Sequence, residues 1–279
     1  MTLLRWKHFT TFAVLACMAL IAGCSDGQRR SNTRGSSMPQ EKGAGGLSDV
    51  IQIPGVEQVE VGQGAQAAQI LSSPGSDGRP IVIFLHGWGP TTPFFYKAWM
   101  SHLVDEGVTV IFPAYQGTAL ATLPKNVEVS VRAALKRLSV APSSVVLAGH
   151  TSGATLAIDY ATSAAAAGLP SACAVYGVFP GVSLSATANI PLSEPAKLPA
   201  ASRLVLVAGP SDPIPGGTNL AQAIIADARQ IPRSRRSLLN APGDNPGGPV
   251  EQTTASQRTF WRPLDRLIAD CGKRLSAGG

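Results

Sequence analysis

From residue 79 onward the chain alternates apolar runs with stretches where apolar residues recur every three or four positions. Arg79-Pro80-Ile81-Val82-Ile83-Phe84-Leu85-His86 is a continuous apolar run, the pattern of a strand buried on both faces. Residues 94–106 follow with helical spacing and stop at Gly107. Residues 108–113 predict the next strand. Residues 126–138 place Val127, Val131, Ala134, Leu135 and Leu138 on one helix face. Residues 144–149 predict a third strand, and the alanine-rich stretch 153–167 a helix ended by Gly168. Two more strands fall at 172–178 and 204–208, a helix at 219–228, a late strand at 236–240 and a closing helix at 256–270. Residues 50–72 supply early strands. Strand–helix alternation with apolar strands predicts an α/β fold: a mostly parallel central sheet with helices on both faces. No interdomain linker interrupts residues 47–279, and the proline-bearing excursion 180–200 is too small for a cap. A single domain with a minimal lid is expected.

The N-terminus follows another pattern. Arg5, Lys7 and His8 precede an apolar stretch, residues 10–22, that is too short to span a bilayer as a stable helix. It ends in Leu20-Ile21-Ala22-Gly23-Cys24, which resembles the bacterial lipobox. The resemblance implies cleavage before Cys24, with a diacylglycerol and an N-acyl chain (palmitate or similar) on that residue. Several acyl chains anchor stably where one does not. An ordinary cleaved signal with an incidental cysteine is the alternative. Residues 25–46 are rich in Ser, Gly, Gln and Arg and cannot bury enough surface to order themselves. The expected division is therefore a signal peptide at 1–23, a lipidated flexible tether at 24–46 and a body at 47–279. Export to the cell envelope follows. Ser25 lacks the aspartate that signals inner-membrane retention in lipoproteins, so the resemblance favours an outer membrane where one exists.

Charge changes the picture little. The formal net charge is +6, but from Leu47 onward 17 Lys and Arg face 15 Asp and Glu. The body is near neutral, which argues against nucleic-acid binding. The basic tether residues could rest on anionic lipid, though a solvated linker is the plainer reading. Of four cysteines, Cys17 leaves with the signal and Cys24 is lipidated. Cys173 and Cys271 remain as a candidate disulfide in an oxidising compartment.

Candidate chemistry sits at strand ends. Leu85-His86-Gly87-Trp88-Gly89 closes the first buried strand, and Gly149-His150-Thr151-Ser152-Gly153 closes the third and opens a helix. The first resembles the oxyanion loop, and the second the nucleophile elbow, of the α/β-hydrolase family, in its dienelactone-hydrolase and lipase-like branch. The resemblance runs from about residue 50 to the C-terminus and implies that fold. It places Thr151 at the nucleophile position, since Gly149 and Gly153 fix the frame. Trp88 and Ser152 would donate the oxyanion N–H groups. Asp212, in Ala208-Gly209-Pro210-Ser211-Asp212, matches the acid loop.

The base is what departs. The histidines are His8, His86, His102 and His150, and none follows residue 150. The stretch Asn240-Ala241-Pro242-Gly243-Asp244-Asn245-Pro246 puts Asp244 or Asn245 at the family's histidine position, with Asn245 the assignment adopted. An amide cannot accept the nucleophile's proton. The histidines form no zinc spacing, and neither a P-loop nor a Rossmann fingerprint is present, so neither metal nor cofactor is expected. Phe94, Phe95, Tyr96 and Trp99 either line an apolar pocket or pack in the core.

Three functions remain. The preferred one is a lipid-anchored envelope protein that keeps a hydrolase fold but is catalytically impaired, and binds a small apolar or ester-like ligand or a protein partner of undetermined kind. The second is a carboxylic-ester or amide hydrolase using Thr151 with His86 or His150 as a non-standard base. The third is a structural envelope lipoprotein.

Overall fold

The structure, a computed structural model, describes residues 53–74, 80–138, 145–182, 189–210, 217–241, 243 and 246–277. Eight strands form one sheet in the order β1-β2-β4-β3-β5-β6-β7-β8. They are β1 (Glu57–Val61), β2 (Ala68–Ser72), β3 (Ile81–Leu85), β4 (Thr109–Pro113), β5 (Val145–His150), β6 (Ala172–Val178), β7 (Arg203–Ala208) and β8 (Arg236–Asn240). β1 pairs antiparallel with β2, and β2 with β4; every other pair is parallel. The helices are α1 (Lys97–Asp105), α2 (Leu123–Arg137), α3 (Ser152–Ser163) and α4 (Gly217–Asp227), then a short α5 (Thr254–Ser256). α5 runs through a π-helical turn (Gln257–Trp261) into α6 (Arg262–Ala277). This is the mostly parallel α/β sheet that the strand and helix patterns predicted, and the arrangement that the resemblance to the α/β-hydrolase family implied.

Strand alternation divides the core in two. Ile81, Ile83 and Leu85 of β3 face α2 and α3, with Val145, Leu147, Leu156, Leu204 and Leu206 in the same cluster. Val82 and Phe84 face the other side, with Trp99 and Met100 of α1 and Phe260, Trp261 and Leu264 of the closing helix. All five β3 residues are buried, because both faces are covered. β8, at the sheet's edge, has no fully buried residue.

Two details refine the expected elements. The helix predicted from residue 94 begins as a 3-10 turn (Pro93–Tyr96) and becomes α-helical only at Lys97. Cys173 of β6 and Cys271 of α6 are joined, with Cα atoms 6.0 Å apart, tying the closing helix to the sheet. Cys24, Asp212, Asp244 and Asn245, and with them the signal, the tether and the acid and histidine positions, lie outside the described residues.

Candidate functional site

The site is built where β3 and β5 end. β5 runs out at His150, and the chain turns through Thr151 into α3. Thr151 has φ 47° and ψ −112°, a conformation that L-residues rarely adopt and β-branched ones least of all. The surroundings hold it there. The Thr151 N–H donates to Val178 O at 2.9 Å, and its carbonyl accepts from Ala154 N–H at 3.0 Å and Gly181 N–H at 3.2 Å. The Thr155 hydroxyl donates to Gly181 O at 2.8 Å, so the loop after β6 braces the turn.

The outer glycines of the motif are steric requirements. A Cβ on Gly149 would lie 2.3 Å from Gly153 O, and one on Gly153 would lie 1.9 Å from Leu85 O. The elbow therefore packs directly on the end of β3. The same closeness brings the oxyanion loop to Thr151: a Cβ on Gly87 would lie 2.8 Å from Thr151 Oγ1. The structure thus brings Thr151, Ser152, His150 and the His86–Trp88 loop together at the carboxyl ends of β3 and β5.

No hydrogen bond joins either histidine at the site to the Thr151 hydroxyl, although His86 Nε2 is buried without a partner. Pro246 O can only accept, so His150 Nε2, 2.7 Å away, carries the proton. Nδ1 then accepts from the Tyr96 hydroxyl at 2.8 Å. Tyr96 Oη in turn accepts from Gly87 N–H at 2.8 Å. His150 is thereby fixed as a neutral ring with its lone pair occupied, and burial lowers its pKa to about 4. His86 donates from Nδ1 to Gly87 O at 2.6 Å. It stacks on Tyr115 and Phe112, with ring centroids 4.3 and 5.2 Å apart. Burial takes His86 also to about 4, partly offset by the Gly87 carbonyl. His102 lies elsewhere, on α1, where its Nε2 meets Asp265 Oδ1 at 3.0 Å. That hydrogen bond raises its pKa.

Around Gly87 and Ser152 the polar groups are braced from β4's end. Tyr115 donates to His86 O at 2.6 Å and lies 3.1 Å from Ser152 Oγ. Gln116 accepts from Gly89 N–H at 3.3 Å and donates to Gly87 O at 3.2 Å. Gly87 N–H is consumed by Tyr96, whereas neither Trp88 N–H nor Ser152 N–H has an acceptor among the described residues. Tyr96, Tyr115 and Gln116 carry no signal at sequence level. An apolar-looking helix start hides the Tyr96 hydroxyl, and a strand end hides the other two. Tyr96 and Trp99 are core residues, while Trp88, Phe94 and Phe95 are 42%, 69% and 54% exposed beside the oxyanion loop. Among the described residues no group of His, Cys, Asp or Glu could hold a metal.

No protein-family model matches the chain, and no curated protein matches it in sequence. Solved structures do match. A fungal esterase of Rhizomucor miehei superposes with a TM-score of 0.62 at 19% identity, covering 80% of this chain and 87% of that one. Esterase B from Lactobacillus rhamnosis gives 0.61 at 15% identity, over 81% and 89%. A putative dienelactone hydrolase from Klebsiella pneumoniae gives 0.57 at 13%, over 77% and 98%. At these identities the likeness is one of fold: the chain has the α/β-hydrolase fold.

Proposed function

We propose that this chain is an exported, lipid-anchored envelope protein whose hydrolase scaffold serves as a binding site and no longer turns over esters. The observation that carries the reading is that no histidine follows residue 150 and that both nitrogens of His150 are engaged, by Tyr96 and by Pro246. Without a proton acceptor a threonine hydroxyl is a poor nucleophile, and loss of a triad member costs several orders of magnitude in rate. The retained Trp88 and Ser152 N–H groups suit a carbonyl or carboxylate oxygen. The exposed Trp88, Phe94 and Phe95 suit an apolar chain beside it. The ligand class that fits is a small apolar ester or acid. Cys24, the short apolar segment before it and the polar tether support the anchor.

An active hydrolase is the second reading, favoured by the elbow conformation at Thr151 and the unclaimed N–H pair. One experiment separates them. The full chain is assayed with short-chain aryl esters and a serine-directed phosphonate, beside the double variant Thr151→Ser/Asn245→His. The expected result is no turnover by the parent chain and measurable turnover by the variant. Turnover by the parent that Thr151→Ala abolishes overturns the proposal.

A further inference from the structure

Among the described residues the exposed large apolar side chains are Trp88, Phe94 and Phe95, and all of them lie in the one segment between β3 and α1. Their exposure is built in. A 3-10 turn has three residues per turn, so Pro93 and Tyr96 share the buried side and Phe94 and Phe95 point outward. The turn cannot roll to hide them, because Tyr96 Oη accepts from Gly87 N–H and donates to His150 Nδ1, at 2.8 Å each. Phe95 packs edge-on against Tyr96, with ring centroids 5.6 Å apart. Trp88 sits between two held glycines, Gly87 on Tyr96 and Gly89 on Gln116. Together the three side chains present roughly 350 Å² of aromatic surface, the size at which a patch on a soluble protein is often functional.

The surroundings say what covers it. Residues 80–104 and 110–127, which hold β3, most of β4 and the segments after them, contain no Asp or Glu. Lys97, one turn after Phe94, is exposed and has no ion pair among the described residues. A tryptophan and two phenylalanines with a lysine at the rim and no carboxylate suit a bilayer interface. The rings enter the boundary between headgroups and acyl chains, and the lysine stem lets its ammonium reach phosphate. An acylated Cys24 keeps that surface within reach. About 30 residues separate Cys24 from Ile53, on the order of 100 Å when extended. Tethering gives the bilayer a high effective concentration, so a patch of weak intrinsic affinity is enough.

We propose that Trp88, Phe94 and Phe95 rest in the interface of the bilayer that carries the anchor. The elbow then lies beside lipid, and its apolar ligand reaches it from the membrane. For its occupant the inference rests on the anchored reading above.

The test is tryptophan fluorescence of the full chain in phosphatidylcholine vesicles whose acyl chains are brominated near the headgroup, where bromine quenches an indole on contact. Trp99 and Trp261 are buried, and the emission lost in Trp88→Leu isolates the share of Trp88. That share is expected to be quenched in brominated vesicles and not in plain ones. Phe94→Ser/Phe95→Ser should remove most of the quenching while the urea midpoint stays where it was. Equal emission in the two kinds of vesicle overturns the proposal, whether the patch is bare or covered by a second copy of the chain. So does quenching that survives the loss of both phenylalanines. The mass of the N-terminal peptide reads the anchor separately. Acylated Cys24 with unquenched Trp88 sinks this inference alone, and an unacylated chain with quenched Trp88 sinks the anchor alone.

Discussion

Gly153, at the foot of α3, and Gly243, in the loop after β8, belong to the same end of one sheet but answer to different constraints. A Cβ on Gly153 would lie 1.9 Å from Leu85 O and 2.4 Å from His86 O. One on Gly243 would meet nothing within 4 Å; only its φ of 81° favours glycine. The contrast extends to the two regions. The elbow and oxyanion loop are fixed by backbone bonds to β6 and its loop, by Tyr96 and Tyr115, and by Gln116. In the loop after β8, the carbonyl of Pro246 takes the His150 N–H, and that loop carries no histidine. The turn at Thr151 is thus held by several hydrogen bonds and close backbone contacts, while the described part of the loop after β8 meets it through the Pro246 carbonyl.

The sharpest way to break this comparison is to put alanine at each glycine. Gly153→Ala must push the backbone of α3 off β3, and the expected loss is about 4 kcal/mol or failure to fold. Gly243→Ala carries only the cost of a left-handed backbone, about 1 kcal/mol. Urea unfolding of the two variants measures both. Equal losses would show that the two regions are held to the same tolerance.

The next largest effect is in pH. His86 and His150, both on the elbow side, have folded pKa values near 4, below the ordinary 6.5. The unfolded chain takes up protons between those values and the folded chain does not. Their contribution is therefore full above about pH 6.5 and is lost as pH falls toward 4, up to roughly 3 kcal/mol for each histidine. His102 runs the other way. Its raised pKa gives stability present below the ordinary value and lost as pH rises through the folded one. The loop after β8 has no histidine. Unfolding free energies for the parent and His150→Gln at about pH 5 and pH 7.5 should show a shallower slope in the variant. An unchanged slope would mean that His150 is not buried neutral.

Tyr96→Phe comes third. It leaves both Gly87 N–H and His150 Nδ1 without partners in a buried place, an expected loss of about 2 kcal/mol. Pro246→Ala keeps the carbonyl that His150 uses and should cost less than about 1 kcal/mol. If the two variants unfold alike, the hydroxyl bridge is not what holds the oxyanion loop to the elbow.

The sheet was legible because β3, β4 and β5 are buried on both faces and their runs of Ile, Val and Leu admit no other reading. Gly149 and Gly153 were legible through the resemblance of their motif to the family's elbow, and the structure shows why that motif needs them: a sharp strand-to-helix turn packed on β3 tolerates no side chain. The polar braces were not legible. Tyr96 is 54 residues from His150, and Tyr115 is 37 from Ser152, and no local pattern encodes contacts that only the assembled sheet creates. Periodicity also missed the 3-10 start of the helix at Pro93, because three- and four-residue spacings look alike over one turn.

The smallest expected effect bears most directly on why the elbow survives. Thr151 at φ 47° holds a β-branched side chain in a conformation costing about 1–3 kcal/mol. Thr151→Gly removes that strain and returns about 0.5–1 kcal/mol to the entropy of the unfolded chain. The net expectation is stabilisation by roughly 1 kcal/mol, read as a higher urea midpoint at unchanged slope. Gly243→Ala, where a glycine already suits its positive φ, moves the other way. A residue whose replacement stabilises the fold is being kept in its conformation by the packing of Gly149 and Gly153 on β3. If Thr151→Gly instead destabilises the chain, the threonine methyl and hydroxyl contribute contacts that outweigh the strain. The elbow would then be a packing device in its own right, and its likeness to a nucleophile turn would carry no trace of catalysis.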